Sequence, residues 1–586
     1  MHGLFTTLRR GATSVEGGVA FSLWAPRPDR VELQILTGKR AGTHAMHPNG
    51  DGLWGVMLEE ATPGVRYAFI VNGRALPDPC TRFQPEGVHG PSEVVAPTVV
   101  APSSASFHPA GLRDLVIYEL HAGALTSEGT LQAAAAHLPA LRELGFNCVE
   151  LMPVAQFAGA ESWGYDPVQP YAVAAQYGGP TGLMTFVDAA HGLGMAIILD
   201  VTLDHLGADA GYLADYGPYF AETNEIAPAN LPLNLEGSGG GPVREYAVQS
   251  VVDWMSDYRV DGLRLTSSRF LHHLAQKALW RELAERTSQL GEETGRALLL
   301  IGDGSHNEVR LIQPRSEGGV GLDALWAEDF HHALHALLTP GRHGKLIDYG
   351  SVDHMKRAVA QGFAFEGEWS RFRGGPHGTY ARKEPTERFV IFSRSHESDD
   401  GDKPPAGDIS DGRRAERLAL TLTLFCPGTP LVFMGQEYGD RAPFLRMDGP
   451  DADSAAQERS KLQTSLRDRE GHRGLLRLTK ALIALRSRFA VLRDSHRQKT
   501  TVEIDQRRRL LCIRRGDPGQ RLLLFCSFAK EPQIWEGYLP EARWEIVLDC
   551  DDTLFEGRGR ATEPLLGGFT AYPLEPLAGR IFREVG

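Results

Sequence analysis

Between about residues 18 and 97, apolar and polar positions alternate with a period of two. In "VELQIL", Val31, Leu33 and Ile35 fall on one face and their polar neighbours on the other, which predicts a half-buried strand. "VRYAFIVNGRALPDP" repeats the pattern and ends in turn residues. A small β-sandwich over residues 1–100 is the expected result. The stretch "APTVVAPSSASFHPAG" is rich in Pro, Ala and Ser and reads as a linker, placed at 101–112.

From residue 113 the pattern changes to short apolar runs separated by helical stretches. The runs are "LVIYEL", "NCVELMPV", "MAIILDV", "DGLRLT", "ALLLIGD", "RFVIFS" and "TPLVFMG". Apolar strands alternating with helices predict parallel strands covered on both faces. With seven or eight such repeats over 113–494, a closed (β/α)8 TIM barrel is the expected α/β architecture. A doubly wound open sheet is the alternative, weakened because no GxGxxG follows the first strand. After about 495, "LLCIRR", "RLLLFCSF", "RWEIVLDC" and "FTAYPLEPLAGRIF" predict a C-terminal β-domain over 495–586. The polar "DGPDADSAAQERSKL" between barrel and tail reads as a surface excursion near the barrel mouth.

Length fits this division, since 586 residues exceed what one core usually serves. Composition is that of an ordinary globular chain, 42% hydrophobic and 23% charged. A formal net charge of -13 argues against general affinity for nucleic-acid phosphates or acidic membrane surfaces. No run approaches the roughly 18 apolar residues of a membrane span, and the N-terminus lacks an apolar signal core. A cytoplasmic location is the expectation. Cysteines 80, 148, 426, 512, 526 and 550 show no CxxC spacing and sit mostly in apolar contexts, so they read as buried thiols.

In a barrel, chemistry gathers at the C-terminal strand ends. Here those ends carry Asp200, Asp204, His205, Arg264, Thr266, Asp303, Ser395, His396 and Glu397. Any one of them alone could cap a helix or close an ion pair. Together, at successive strand ends, they point to a cleft for a polyhydroxylated ligand.

The segments "SWGYDPVQPYAVAAQYGGPTGLMTFVDAAHGLGMAIILDVTLDHLGADAGYL", "VDGLRLT", "LLIGD", "GLDALWAEDFHHALHALL" and "TPLVFMGQEYG" resemble the α-amylase superfamily, glycoside hydrolase family 13. "WAEDFHHALH" is similar to its trehalohydrolase branch, with glycogen branching enzymes the next relatives. The resemblance covers almost the whole chain and implies a retaining mechanism. In that mechanism an Asp attacks the anomeric carbon, a Glu protonates the departing oxygen, and a second Asp stabilises the transition state. Attacking and protonating carboxyl groups lie about 5 Å apart.

The matching positions are Thr266 for the nucleophile, Asp303 for the acid/base and Glu397 for the stabiliser, so all three depart from the family pattern. The Asn expected before each signature His is Asp204 and Ser395, and the Gln expected after the stabiliser is Ser398. Asp200, His205, Arg264, His396, Trp163 and Tyr165 fit the pattern. A threonine hydroxyl with no base beside it cannot form the glycosyl-enzyme. Asp303 is shorter than Glu by about 1 Å, a displacement that can cost on the order of 10²-fold. The resemblance therefore implies a protein of α-glucan or trehalose metabolism that binds its sugar, an α-glucan or malto-oligosyltrehalose, without cleaving it. The alternative is an active hydrolase or transferase working through rearranged carboxylates.

Trp326, Asp329, Phe330 and His331 join the expected sugar-binding set, with the aromatic faces as platforms for sugar rings. His331 and His335 are four apart on a predicted helix, but no HExxH glutamate or third ligand accompanies them, and packing or a hydrogen bond to sugar is the expected role. The acidic turn "SDDGDKPPAGD" lacks EF-hand spacing and reads as a solvated loop at the cleft. No metal or cofactor is expected.

Overall fold

A computed structural model of the chain describes residues 9–97, 102–222, 230–266, 273–399, 409–447, 455–559 and 565–585. Residues 400–408 of the acidic turn and 448–454 of the excursion lie outside the described residues. Eight parallel strands close into a barrel. They are β1 (Ile117–Leu120), β2 (Cys148–Leu151), β3 (Ala196–Val201), β4 (Gly262–Leu265), β5 (Leu299–Gly302), β6 (Ala324–Trp326), β7 (Phe389–Phe392) and β8 (Thr429–Phe433). β6 has three residues, too few for a period-two pattern, which is why the apolar runs gave seven strands rather than eight.

Two sheets form the N-terminal sandwich. One pairs strands 11–15, 18–24, 53–59 and 47–48, and the other strands 42–45, 31–35, 66–71 and 74–76, with 92–93 at its side. Val31, Leu33 and Ile35 are buried between them, as their alternation requires. Five residues of the expected linker, Pro102–Ser106, form a short helix. The C-terminal unit is a six-stranded antiparallel sheet, with strands in the spatial order 500–505, 510–515, 522–527, 579–585, 533–549 and 565–574. All six cysteines are buried thiols. Among the described residues, no helix is long and apolar enough to cross a membrane.

Strand periodicity divides the barrel interior into two layers. Ile117, Cys148 and Ile198 belong to an apolar floor completed by Ile301, Trp326, Val390, Phe392 and Leu431. Two residues further along the same strands stand Glu119, Glu150 and Asp200, all buried. Arg264 is paired in register with Asp200 across β3 and β4. A charged tier therefore sits on an apolar base at the C-terminal end of the barrel.

Two further elements steer these strands. Helix α1 (Gly240–Asp257) leads into β4, and helix α2 (Glu328–Leu338) follows β6 directly. Arg82 of the sandwich donates to Asp253 on α1 at 2.8 Å, an ion pair with both side chains largely buried.

Candidate functional site

Arg264 organises the charged tier. Its side chain is buried, with Nη1 on Asp200 Oδ2 at 3.1 Å and Nη2 on Glu397 Oε1 at 3.1 Å. Asp303 Oδ2 lies 3.6 Å from the same Nη2. The guanidinium stands over the Trp326 ring, 4.1 Å from its centroid. Burial opposes a charge here, but Asp200, Tyr165, Glu397 and Asp303 more than offset it and hold the guanidinium protonated. Burial, followed by Asp200, drives the carboxyls of Glu119 and Glu150 well above the usual range. That direction favours their neutral forms beside the Asp200–Arg264 ion pair.

Tyr165 and His396 close its upper side. The Tyr165 hydroxyl donates to Asp200 Oδ2 at 2.5 Å and lies 3.0 Å from His396 Nε2, with the two rings stacked 5.3 Å apart. His396 Nδ1 is hydrogen-bonded to Glu119 Oε1 at 2.5 Å. Burial lowers the His396 imidazole to about 4 against the pull of Glu397, so it is neutral at neutral pH. His205 packs on the backbone instead, with Nε2 3.0 Å from the Tyr165 carbonyl oxygen and Nδ1 3.2 Å from Asp204.

Thr266, Asp303 and Glu397 fare differently. Thr266 follows β4, half-buried, and its hydroxyl donates to the Val201 carbonyl oxygen at 3.3 Å. That hydrogen bond turns the hydroxyl toward the neighbouring strand end. Asp303 accepts the backbone N–H of Ser305 at 2.8 Å, a local turn that fixes its carboxylate beside Arg264. Glu397 is 40% exposed and opens toward the mouth. Burial raises its carboxyl less than Arg264, His396 and Lys345 lower it, and the group sits at about 2.

Above the tier lies a cavity of about 400 Å³ whose walls include Trp163, Glu328, His331, Lys345, Glu397 and Ser398. Trp163 donates Nε1–H to the Leu445 carbonyl at 2.8 Å and stacks on Phe444 at 5.2 Å, so the chain after β8 holds this wall. His331 Nδ1 lies 2.9 Å from the Ser393 carbonyl oxygen, and its ring stacks with His335 at 5.6 Å. Lys345 Nζ is 2.8 Å from Glu328 Oε2. Burial and then Asp303 raise the Glu328 carboxyl to about 8, against Lys345. Asp348 anchors the adjoining hairpin of Glu368–Ser370 and Gly375–His377 by accepting from Ser370 and the Arg371 N–H, which places exposed Trp369 and Phe372 beside the rim.

Trp163, Tyr165, Asp200, Arg264, Asp303, His331, His396 and Glu397 are thus gathered in or just beneath the mouth. Three expected sugar contacts are not. Trp326 and Phe330 are 0% and 1% exposed and have no face open to a ligand; Trp326 instead floors the Arg264 site. Asp329 is buried and accepts from Tyr349, Asn307 and the backbone N–H groups of Ala364 and Phe365, so it ties three loops together. Glu328, Lys345, Glu119 and Glu150 were missed. Glu328 lies within the "WAEDFHHALH" motif and follows a strand end, the one signal that could have found it.

Comparison with known proteins agrees with this architecture. Residues 9–95 match carbohydrate-binding module 48, the isoamylase N-terminal domain, and residues 99–225 match the α-amylase catalytic domain. The chain is 35% identical to malto-oligosyltrehalose trehalohydrolase of Rhizobium sp. (strain M-11), covering 89% of this chain and 93% of that protein. It is 32% identical to the protein of the same name from Deinococcus radiodurans, over 94% and 96% of the two chains. Among solved structures, an α-amylase-type protein from Salmonella typhimurium superposes with a TM-score of 0.83 at 29% identity, covering 98% of this chain and 99% of that one. A Group B Streptococcus pullulanase solved with maltotetraose has the same fold, with a TM-score of 0.75 at 18% identity over 99% and 88% of the chains. With relatives above 30% identity matched over nearly their whole length, the chain belongs to the malto-oligosyltrehalose trehalohydrolase family of the α-amylase superfamily.

Proposed function

We propose that this protein binds an α-1,4-glucan of the malto-oligosyltrehalose type at the barrel mouth and does not run the family's retaining double displacement. The observation that carries this reading is Thr266. A retaining reaction needs a carboxylate there, about 5 Å from its proton donor. The residue present offers one hydroxyl, hydrogen-bonded to the Val201 carbonyl oxygen. A neutral alcohol without a base is a weak nucleophile, and an alkoxide is a poor leaving group for the second step.

The remaining frame suits binding. Asp200, Arg264, His396 and Tyr165 keep a pre-ordered set of donors and acceptors, and Trp163 supplies an aromatic wall. The names of the relatives, and the maltotetraose in the pullulanase structure, favour an α-glucan ligand.

A second reading is an active enzyme with rearranged carboxylates, favoured by the approach of Asp303 and Glu397 to one nitrogen of Arg264. Incubation with malto-oligosyltrehalose separates the two. Heat release on titration without any free trehalose supports the binding reading. Trehalose release that disappears in Asp303→Ala and Glu397→Ala would establish the second, and no binding to any α-glucan would defeat both.

A further inference from the structure

Far from the mouth, three guanidinium groups meet at the barrel foot. Helix α3 (His472–Arg488) contributes Arg486, the strand Leu510–Arg515 contributes Arg515, and the turn Ala490–Arg493 contributes Arg493. Arg486 and Arg515 are 2% and 1% exposed. Arg515 is well held: Nη1 donates to the carbonyls of Phe425 and Leu492 at 2.8 and 3.2 Å, and Nη2 to that of Asp494 at 2.8 Å. Arg486 makes a single bond, from Nη2 to the Gly428 carbonyl at 2.7 Å. Its Nε and Nη1 are buried with no hydrogen-bond partner among the described residues, and so is Nε of Arg515.

Negative charge at the foot is already committed. Asp114 accepts from Arg493 at 2.7 Å. The Asp494 carboxylate faces Lys499 at 2.9 Å and His496 at 2.7 Å. Among the described residues, no carboxylate comes within ion-pair distance of Arg486 or Arg515. Burial, then Arg515 and Arg493, pushes Arg486 down to about 9, and burial pushes Arg515 down to about 10. Neither shift reaches neutral pH, so both groups keep their charge. Cys426 lies near both, but burial raises its thiol to about 12 despite them, and a neutral thiol supplies no counter-charge.

The carboxylates of Asp114 and Asp494 act on Arg486 and Arg515 only from beyond contact; two buried cations without a carboxylate in contact are costly, and the orphaned N–H groups of Arg486 add a desolvation penalty. We propose that Arg486 and Arg515 bind a small inorganic anion of the halide class at the junction of barrel and C-terminal sheet, with an unpartnered N–H of Arg486, at Nε or at Nη1, as its donor. Size follows from the surroundings. The carbonyl oxygens of Phe425, Gly428, Leu492 and Asp494 around the guanidiniums donate no hydrogen bonds, so the several oxygens of a phosphate or sulfate would be left unpaired there, whereas a monatomic ion needs only the free N–H. The anion cross-links α3, the turn before β8 and the C-terminal sheet.

Thermal unfolding of the full chain in sodium chloride against sodium gluconate, at matched ionic strength, tests this. Chloride should raise the midpoint saturably by about 2–4 °C, as expected for a ligand bound only by the folded state. Arg486→Met should remove the chloride dependence while remaining at least as stable as wild type in gluconate. Equal midpoints in the two salts, or an unchanged chloride response in Arg486→Met, would overturn the proposal. Crystals of the wild-type protein grown in bromide give a check independent of any variant. An anomalous peak beside Arg486 Nε or Nη1 supports the site, and water at both contradicts it.

Discussion

Arg264 holds Glu397 at 3.1 Å on the nitrogen that also faces Asp303. On the proposed reading, Glu397 is one methylene longer than the Asp expected at its position, and its reach brings a carboxylate to the guanidinium beside a strand end that carries Thr266 in place of an acid. Two departures that look independent in sequence therefore share one charge.

Restoring only one of them should accordingly do little. Thr266→Asp alone should leave trehalose release from malto-oligosyltrehalose at background, because Asp303 and Glu397 still occupy the site. The triple variant Thr266→Asp, Asp303→Glu, Glu397→Asp should cleave, with a gain over the single variant of about 10²-fold or more. Strong cleavage by Thr266→Asp would contradict the shared-charge account.

Arg264 is also a structural keystone. Arg264→Met leaves Asp200 buried with the Tyr165 hydroxyl but without its cation, and should cost about 3–5 kcal/mol in urea unfolding. A loss below about 1 kcal/mol would show that the Tyr165 hydroxyl or another donor satisfies Asp200 without the guanidinium.

The cavity wall predicts a binding defect on top of a loss of packing, because Trp163 is largely buried. Trp163→Ala should weaken maltooligosaccharide binding about tenfold by calorimetry. Unchanged affinity would place the sugar elsewhere.

Much of this was legible because period-two alternation fixes direction. Asp200 and Arg264 follow apolar strand positions at the right offset, and the repeated alternation of apolar runs with helical stretches predicts the barrel. Burial was not legible. Trp326 and Phe330 have the chemistry of sugar platforms, and only three-dimensional packing shows them sealed. Glu119 and Glu150 obey the same offset as Asp200, yet acids inside apolar runs carry no mark of whether they are neutral. Lys345 meets Glu328 across a helix and a loop, a contact that no local pattern encodes.

Glu328 gives the pH dependence a sign. Its folded value of about 8 lies above the ordinary 4.5. The unfolded chain releases this proton first, so the contribution to stability is full below pH 4.5 and is lost as pH rises through about 8. Glu328→Gln, permanently neutral, should flatten that part of the melting-temperature profile. An identical slope in the variant would show that Lys345 keeps the group ionised.

The Arg82–Asp253 ion pair makes the N-terminal sandwich a buttress rather than an appendage. It grips the helix that feeds β4, whose end carries Arg264 and Thr266. A cut between sandwich and barrel would therefore do more than shed an outer domain. It would strip the counter-charge from a buried aspartate one helix away from the site, so the barrel made alone would fold with a flaw next to its own mouth.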